Sequence, residues 1–370
     1  MAEITAALVK ELRDMTGAGM MDCKKALSNT NGNKDEAVEW LRKNGLAKAE
    51  KKAGRIAAEG VSDTFVSADG KVGAIVEVNS ETDFVAKNEK FRDYVSAVVA
   101  QCATTKATNI DAFLAEKWSL DSSATVKEAL AAQIAVIGEN MNIRRFAKLE
   151  ASNGFVESYI HGNGRIAILL EVESDGNAEA AHECAKNVAM QIAAMNPQYV
   201  SKDDISAEEL KKLREITIDS ALNDPASLPK PILQKLIDKA VSEKAWSDED
   251  IAIYEEKKSN MNFLFNFLSK EAPAVLAKFA FEQKDAYMAD KIFSGLVEGR
   301  ISKQLKEICL LDQVYVKAED GKQNVAAYVA SVAKNSGIKL SVKKFIRFET
   351  GEGLEKKNED FAAEVAAQLG

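Results

Sequence analysis

Proline is missing from most of this 370-residue chain, all five prolines lying between Pro197 and Pro273. Outside that window helices and strands can run unbroken, and the window itself has a different character. Histidine is equally scarce: His161 and His182 are the only two, so no Ser/His/Asp or Cys/His catalytic arrangement can be assembled. The four cysteines (Cys23, Cys102, Cys184, Cys309) contain no C-x-x-C pair. A zinc ribbon and a disulfide scaffold are therefore not expected, and the thiols read as small core residues of a reduced chain. No run approaches the roughly 18 apolar residues of a membrane span. Glu3 and Glu11 stand where an export signal needs a basic start and an apolar run. A cytoplasmic protein with no membrane partner is expected. Positive charge is in deficit, 49 Lys and Arg against 57 Asp and Glu, a formal charge of −8, so direct nucleic-acid binding is not expected. Gly17-Ala18-Gly19, with Lys24 and Lys25 after it, fails the spacing of phosphate and dinucleotide loops. It reads as a helix junction, and no cofactor or metal is implied.

What the chain does have is core material, 46% hydrophobic against 29% charged residues, over a length that suits two or three domains. It also repeats. At an offset of 94, Gly60 falls on Gly154, Gly70 on Gly164, and Val72-Gly73-Ala74-Ile75-Val76-Glu77-Val78 on Ile166-Ala167-Ile168-Leu169-Leu170-Glu171-Val172. Each copy reads as strand, Gly-containing turn and strand, the signature of a β-hairpin. A helix with apolar positions at i, i+3, i+4, i+7 follows each, Phe91 to Cys102 and Ala181 to Ile192. The offset has by then fallen to 90, so the first copy turns its strand-to-helix corner with four additional residues. At an offset of 199, Met141–Phe146 falls on Leu340–Phe345, and Gly138 on Gly337, which closes each sublobe with a helix and a last strand. The jump to 199 leaves 109 further residues inside the second copy, roughly 200 to 315. They read as antiparallel helices, with Phe263–Leu268 as a small core where helices meet or, alternatively, a partner patch.

Ahead of the repeat, residues 1 to about 55 read as three short helices. Asn33 and Glu36 form a capping box for the third, Gly45 is its stop, and the Lys-rich run 48–55 is a solvated linker. The extended corner of the first sublobe holds Glu81-Thr82-Asp83-Phe84-Val85. One reading makes Thr82 or Asp83 a helix cap and Phe84 a hydrophobic staple. The other makes the apolar ring beside a carboxylate a hot spot aimed at a partner, since the second sublobe needs no such extension.

Several collinear motifs give the chain a family resemblance. They are Leu12-Arg13, Thr16 to Leu27, Thr82 to Asn88, Ile137 to Arg145, Phe345 to Glu349 and Phe361 to Ala366. The chain resembles the bacterial elongation factor Ts family, guanine-nucleotide exchange factors for elongation factor Tu. The resemblance implies an α+β fold with a UBA-like module over 1–55 and core sublobes over 56–150 and over 151–199 with 316–350. It also implies an insert over 200–315, enlarged from the family's short coiled-coil hairpin, and a C-terminal helical module over 351–370. It implies binding to elongation factor Tu, GDP-bound and nucleotide-free, without covalent chemistry. Thr82, Asp83, Phe84 and Val85 would dislocate the magnesium site of the partner, and Arg13, Met20, Lys24 and His161 would make further contacts. Two alternatives from other classes are a carboxylate enzyme working in a cleft between sublobes, and an interaction scaffold that binds through the insert.

Overall fold

The computed structural model describes residues 4–176 and 179–355. They fall into two compact units, Pro197–Val325 and the chain on either side of it. The fold is α+β.

The first unit opens with α1 (Ala6–Thr16), α2 (Met20–Asn29) and α3 (Lys34–Lys52), packed through Val9, Leu12, Cys23, Ala26, Leu27 and Ala37. Gly17, at φ 66°, ends α1 in the left-handed conformation that glycine adopts without penalty. Asn33 caps α3, but Glu36 answers the Asn33 side-chain amide (2.9 Å) rather than its backbone, so only half of a capping box forms. Gly45 is not a stop. It is buried inside α3, where a Cβ would lie 3.6 Å from the Ala131 carbonyl oxygen. The expected linker is largely helix as well, with Lys48 paired to Asp22 at 2.8 Å; earlier on α3, Arg42 pairs with Asp121 at 2.7 Å.

The first sublobe follows as β1 (Glu59–Val66), β2 (Val72–Ser80), α4 (Asp83–Ala86), α5 (Glu89–Thr104), α6 (Ile110–Ala115), β3 (Lys117–Trp118), β4 (Asp121–Thr125), α7 (Val126–Ile137) and β5 (Met141–Glu150). The second has β6 (Phe155–His161), β7 (Ile166–Ser174) and α8 (Glu179–Met195), and is completed by α15 (Val325–Ser336) and β8 (Leu340–Glu349). Both sheets are antiparallel, ordered β1-β2-β5 and β6-β7-β8. The repeat extends to irregularities. A bulge interrupts the ladder at Glu77/Val78 and again at Glu171/Val172. Gly60 and Gly154, at φ 127° and 108°, approach the facing strand so closely that a Cβ would sit 2.2 and 2.0 Å from a carbonyl oxygen. α5 buries Phe91, Val95, Val98 and Cys102 in the core that β1, β2 and β5 share. The small β3-β4 hairpin and α6 carried no repeat signal.

Glu77, fully buried on β2, joins the sublobes. It accepts from Arg144 (2.9 Å), Arg145 (2.5 Å), Asn79 (3.0 Å) and the N–H of Gly351 just after β8 (2.8 Å). Burial alone would raise its pKa; those donors outweigh it and hold the carboxyl below its ordinary value.

The second unit holds α9 (Ala207–Asn223), α10 (Lys230–Ser242), α11 (Asp248–Lys257), α12 (Glu271–Glu282), α13 (Lys284–Met288) and α14 (Lys291–Ile308) around a core of its own that includes Leu222, Leu236, Ile237, Trp246, Leu276 and Phe293. The 263–268 run divides: Leu264 is fully buried, whereas Phe263 and Phe267 are 56% and 53% exposed. All four cysteines are free and buried, and burial pushes Cys102 up to about 12 and Cys184 to about 11. The C-terminal helical module expected over 351–370 lies, from 356 on, outside the described residues.

Candidate functional site

The four additional residues of the first sublobe form a single helical turn, α4, rather than a loop. Thr82 is its N-cap, with extended backbone and a hydroxyl that accepts from the Val85 N–H at 3.4 Å. Asp83 opens the turn, where the helix dipole favours a negative charge. Its carboxylate pairs with Lys87 at 2.6 Å, and chiefly that hydrogen bond holds its pKa low, so it is ionised at neutral pH. Val85 and Ala86 turn inward to the sublobe core. Phe84 does the opposite, its residue surface 80% exposed. A staple would pack its ring, so the staple half of the first reading fails; Thr82 is a cap, but of this separate turn, and the helix that follows, α5, is capped by Asn88 instead.

Sequence reasoning missed the residues that fix this turn. The Glu139 carboxylate accepts both the N–H of Thr82 (3.0 Å) and its hydroxyl (2.6 Å). Glu81 in exchange accepts the N–H of Asn140. The only hint in the sequence is that Glu139 follows the helix-ending Gly138.

A cleft of about 880 Å³ between the N-terminal helices and the first sublobe is lined in part by Met15, Gly19, Trp118, Leu120 and Val136, and does not include residues 82–85. Two of its carboxyls are held low, Asp121 first by the Ser123 hydroxyl and Glu128 first by the Thr125 N–H, so neither is tuned as an acid.

Comparison with known proteins bears on this geometry. A family model described as Elongation factor TS matches residues 81–352, from Glu81 at the turn to Glu352 beside Gly351, and a UBA/TS-N domain model matches residues 4–41. The chain is similar to Elongation factor Ts of Clostridium tetani, 43% identical over 366 residues, 99% of each chain. It is also similar to Elongation factor Ts of Clostridium botulinum strain Eklund 17B, 42% identical over 367 residues and again 99% of each. The chain belongs to the elongation factor Ts family.

The other residues singled out in the sequence lie at two further places. Arg13 is exposed near the end of α1, and Met20 and Lys24 sit four residues apart on α2, both exposed. The sequence reading missed Met15 and Met21, which are more exposed than Met20 itself. His161 ends β6 in the second sublobe, exposed, its Nδ1 3.0 Å from the Tyr159 hydroxyl. His182 is structural by contrast: it stacks on Phe155 at 4.0 Å and meets Glu157 at 3.0 Å.

Proposed function

We propose that this protein accelerates the release of GDP from elongation factor Tu, so that GTP can replace it, by inserting Phe84 and Asp83 beside the magnesium and phosphate site of its partner. The reading is carried by one observation: a phenylalanine four-fifths in water at the tip of a turn that the fold holds in place. A large ring kept exposed on an ordered element is a hot spot awaiting a pocket.

Exchange needs no bond made or broken. The factor and the nucleotide weaken each other's binding by the same factor, so only contacts made better with the nucleotide-depleted partner accelerate release. Phe84 supplies such a contact by filling space that opens when the elements around the magnesium part. Burying it is worth about 1.5–3 kcal/mol. The ionised Asp83 adds negative charge where the phosphates would return. Arg13, Met20 and Lys24 on the N-terminal helices and His161 on the second sublobe dock on the same partner and hold the wedge there. The site of action is the cytoplasm, with neither nucleic acid nor membrane in contact.

Labelled GDP bound to purified elongation factor Tu tests this directly. Wild-type protein is expected to accelerate its dissociation, and Phe84→Ala to lose about 10- to 100-fold of that acceleration, the burial energy converted at 1.4 kcal/mol per decade. A wild-type protein without effect ends the exchange reading. It would turn attention to the scaffold alternative, for which the exposed Phe263 and Phe267 of the second unit are the specific observation.

A further inference from the structure

We infer that Glu139 and Arg92 are positioning residues that brace the Phe84 turn from its two ends and tie it to the other two docking elements, an inference that rests on the exchange reading above. α4 has only four residues, and so short a helix has no stability of its own. Phe84 buries little to hold it, so its shape is imposed by neighbours.

At the start of the turn, the Glu139 carboxylate takes both protons of Thr82. Directing the hydroxyl proton toward Glu139 leaves an oxygen lone pair for the Val85 N–H, so the cap is oriented from outside the turn. The Thr82 carbonyl accepts from the Ser80 hydroxyl at 3.0 Å, so each polar group of Thr82 is engaged. At the far end, Arg92 Nε donates to the Ala86 carbonyl at 3.0 Å, one of those that a helix end leaves without a partner. The same guanidinium donates through Nη2 to the Asn163 carbonyl at 2.8 Å. Asn163 (φ 61°) lies in the hairpin turn of the second sublobe, two residues beyond His161.

The N-terminal helices are spliced in at the Glu139 end. Lys52 of α3 donates to the Gly138 carbonyl, and the Asn140 amide to the Arg55 carbonyl at 2.7 Å. The Phe84 turn is thus held between two braces, one leading to the module that carries Met20 and Lys24, the other to the turn beside His161. A wedge that arrives already placed avoids the ordering cost that a free loop would meet on docking.

Release of labelled GDP from elongation factor Tu, followed over a range of factor concentrations, separates the maximal rate from the half-saturating concentration. Glu139→Ala and Arg92→Ala are each expected to lower the maximal rate about tenfold. Half-saturation should move less than about threefold, because the other docking surfaces remain. Thr82→Val should reproduce Glu139→Ala, and the pair should not add. In a Phe84→Ala background both substitutions should lose their effect, which general damage to the fold would not do. Glu139→Gln keeps one acceptor oxygen and should recover part of the rate; it also stands in if the alanine variant does not fold. Undiminished effects in the Phe84→Ala background overturn the braces. So do full maximal rates in both variants, and in either case the exchange reading survives if Phe84→Ala is impaired. A wild-type protein that fails to accelerate release overturns both.

Discussion

A phenylalanine ring left in water adds almost nothing to folding, so Phe84 can be removed without disturbing what surrounds it. Phe84→Ala is expected to leave the free energy of unfolding within about 0.5 kcal/mol of wild type by urea titration, which separates any loss of exchange from loss of stability. Glu77 is the opposite case. Glu77→Gln leaves Arg144 and Arg145 short of a charge, and since both reach solvent the expected cost is near the lower end of the buried-pair range, about 3 kcal/mol. Its pH dependence has a definite sign. The folded state holds the carboxyl below its ordinary 4.5, so on acidification the unfolded chain takes up the proton first. The stabilisation from Glu77 is present above that pH and lost as pH falls through the lower, folded-state pKa. The stability of wild type should therefore fall more steeply below about pH 4.5 than that of Glu77→Gln, as thermal melts across acidic buffers would record.

Among the elements, the repeat was readable because strand alternation, turn glycines and helix stripes were all copied at constant offsets. The lone glycine at position 45 was misread for a physical reason. A glycine near the end of a helical pattern often marks its stop, and what carries α3 past Gly45 is its packing on Ala131 of α7, far off in sequence. Gly45→Ala should raise stability by about 0.5–1 kcal/mol, since a Cβ there meets only an ordinary contact while helix propensity improves. Gly60→Ala should cost at least about 2 kcal/mol, because its positive φ and the Val78 carbonyl both exclude a side chain; chemical denaturation of the two variants tests the contrast. At the candidate site, the extension at 82–85 and its exposed ring were visible as a departure of one copy from the other. The Glu139 carboxylate was not, because its partner Thr82 lies 57 positions away and its contacts run to a backbone N–H and a hydroxyl that any threonine has. The Lys48–Arg55 run misled through its composition, which fits a solvated helix as well as a linker.

For the whole molecule, the unit Pro197–Val325 carries a core large enough to stand by itself. Expressed alone it is expected to unfold cooperatively, followed by Trp246, its one tryptophan, which is buried with its indole N–H on the Ala272 carbonyl. The folded chain as a whole also shields its thiols. Burial raises the pKa of each of Cys23, Cys102, Cys184 and Cys309, so thiolate, the form that attacks alkylating reagents, is suppressed at neutral pH. The native protein is therefore expected to react slowly with maleimide dyes, which a labelling time course on the folded chain checks. A single cysteine introduced at a surface position such as Leu120 would be its sole reactive handle, and a fluorophore there could report encounter with a partner without any native residue being stripped out first.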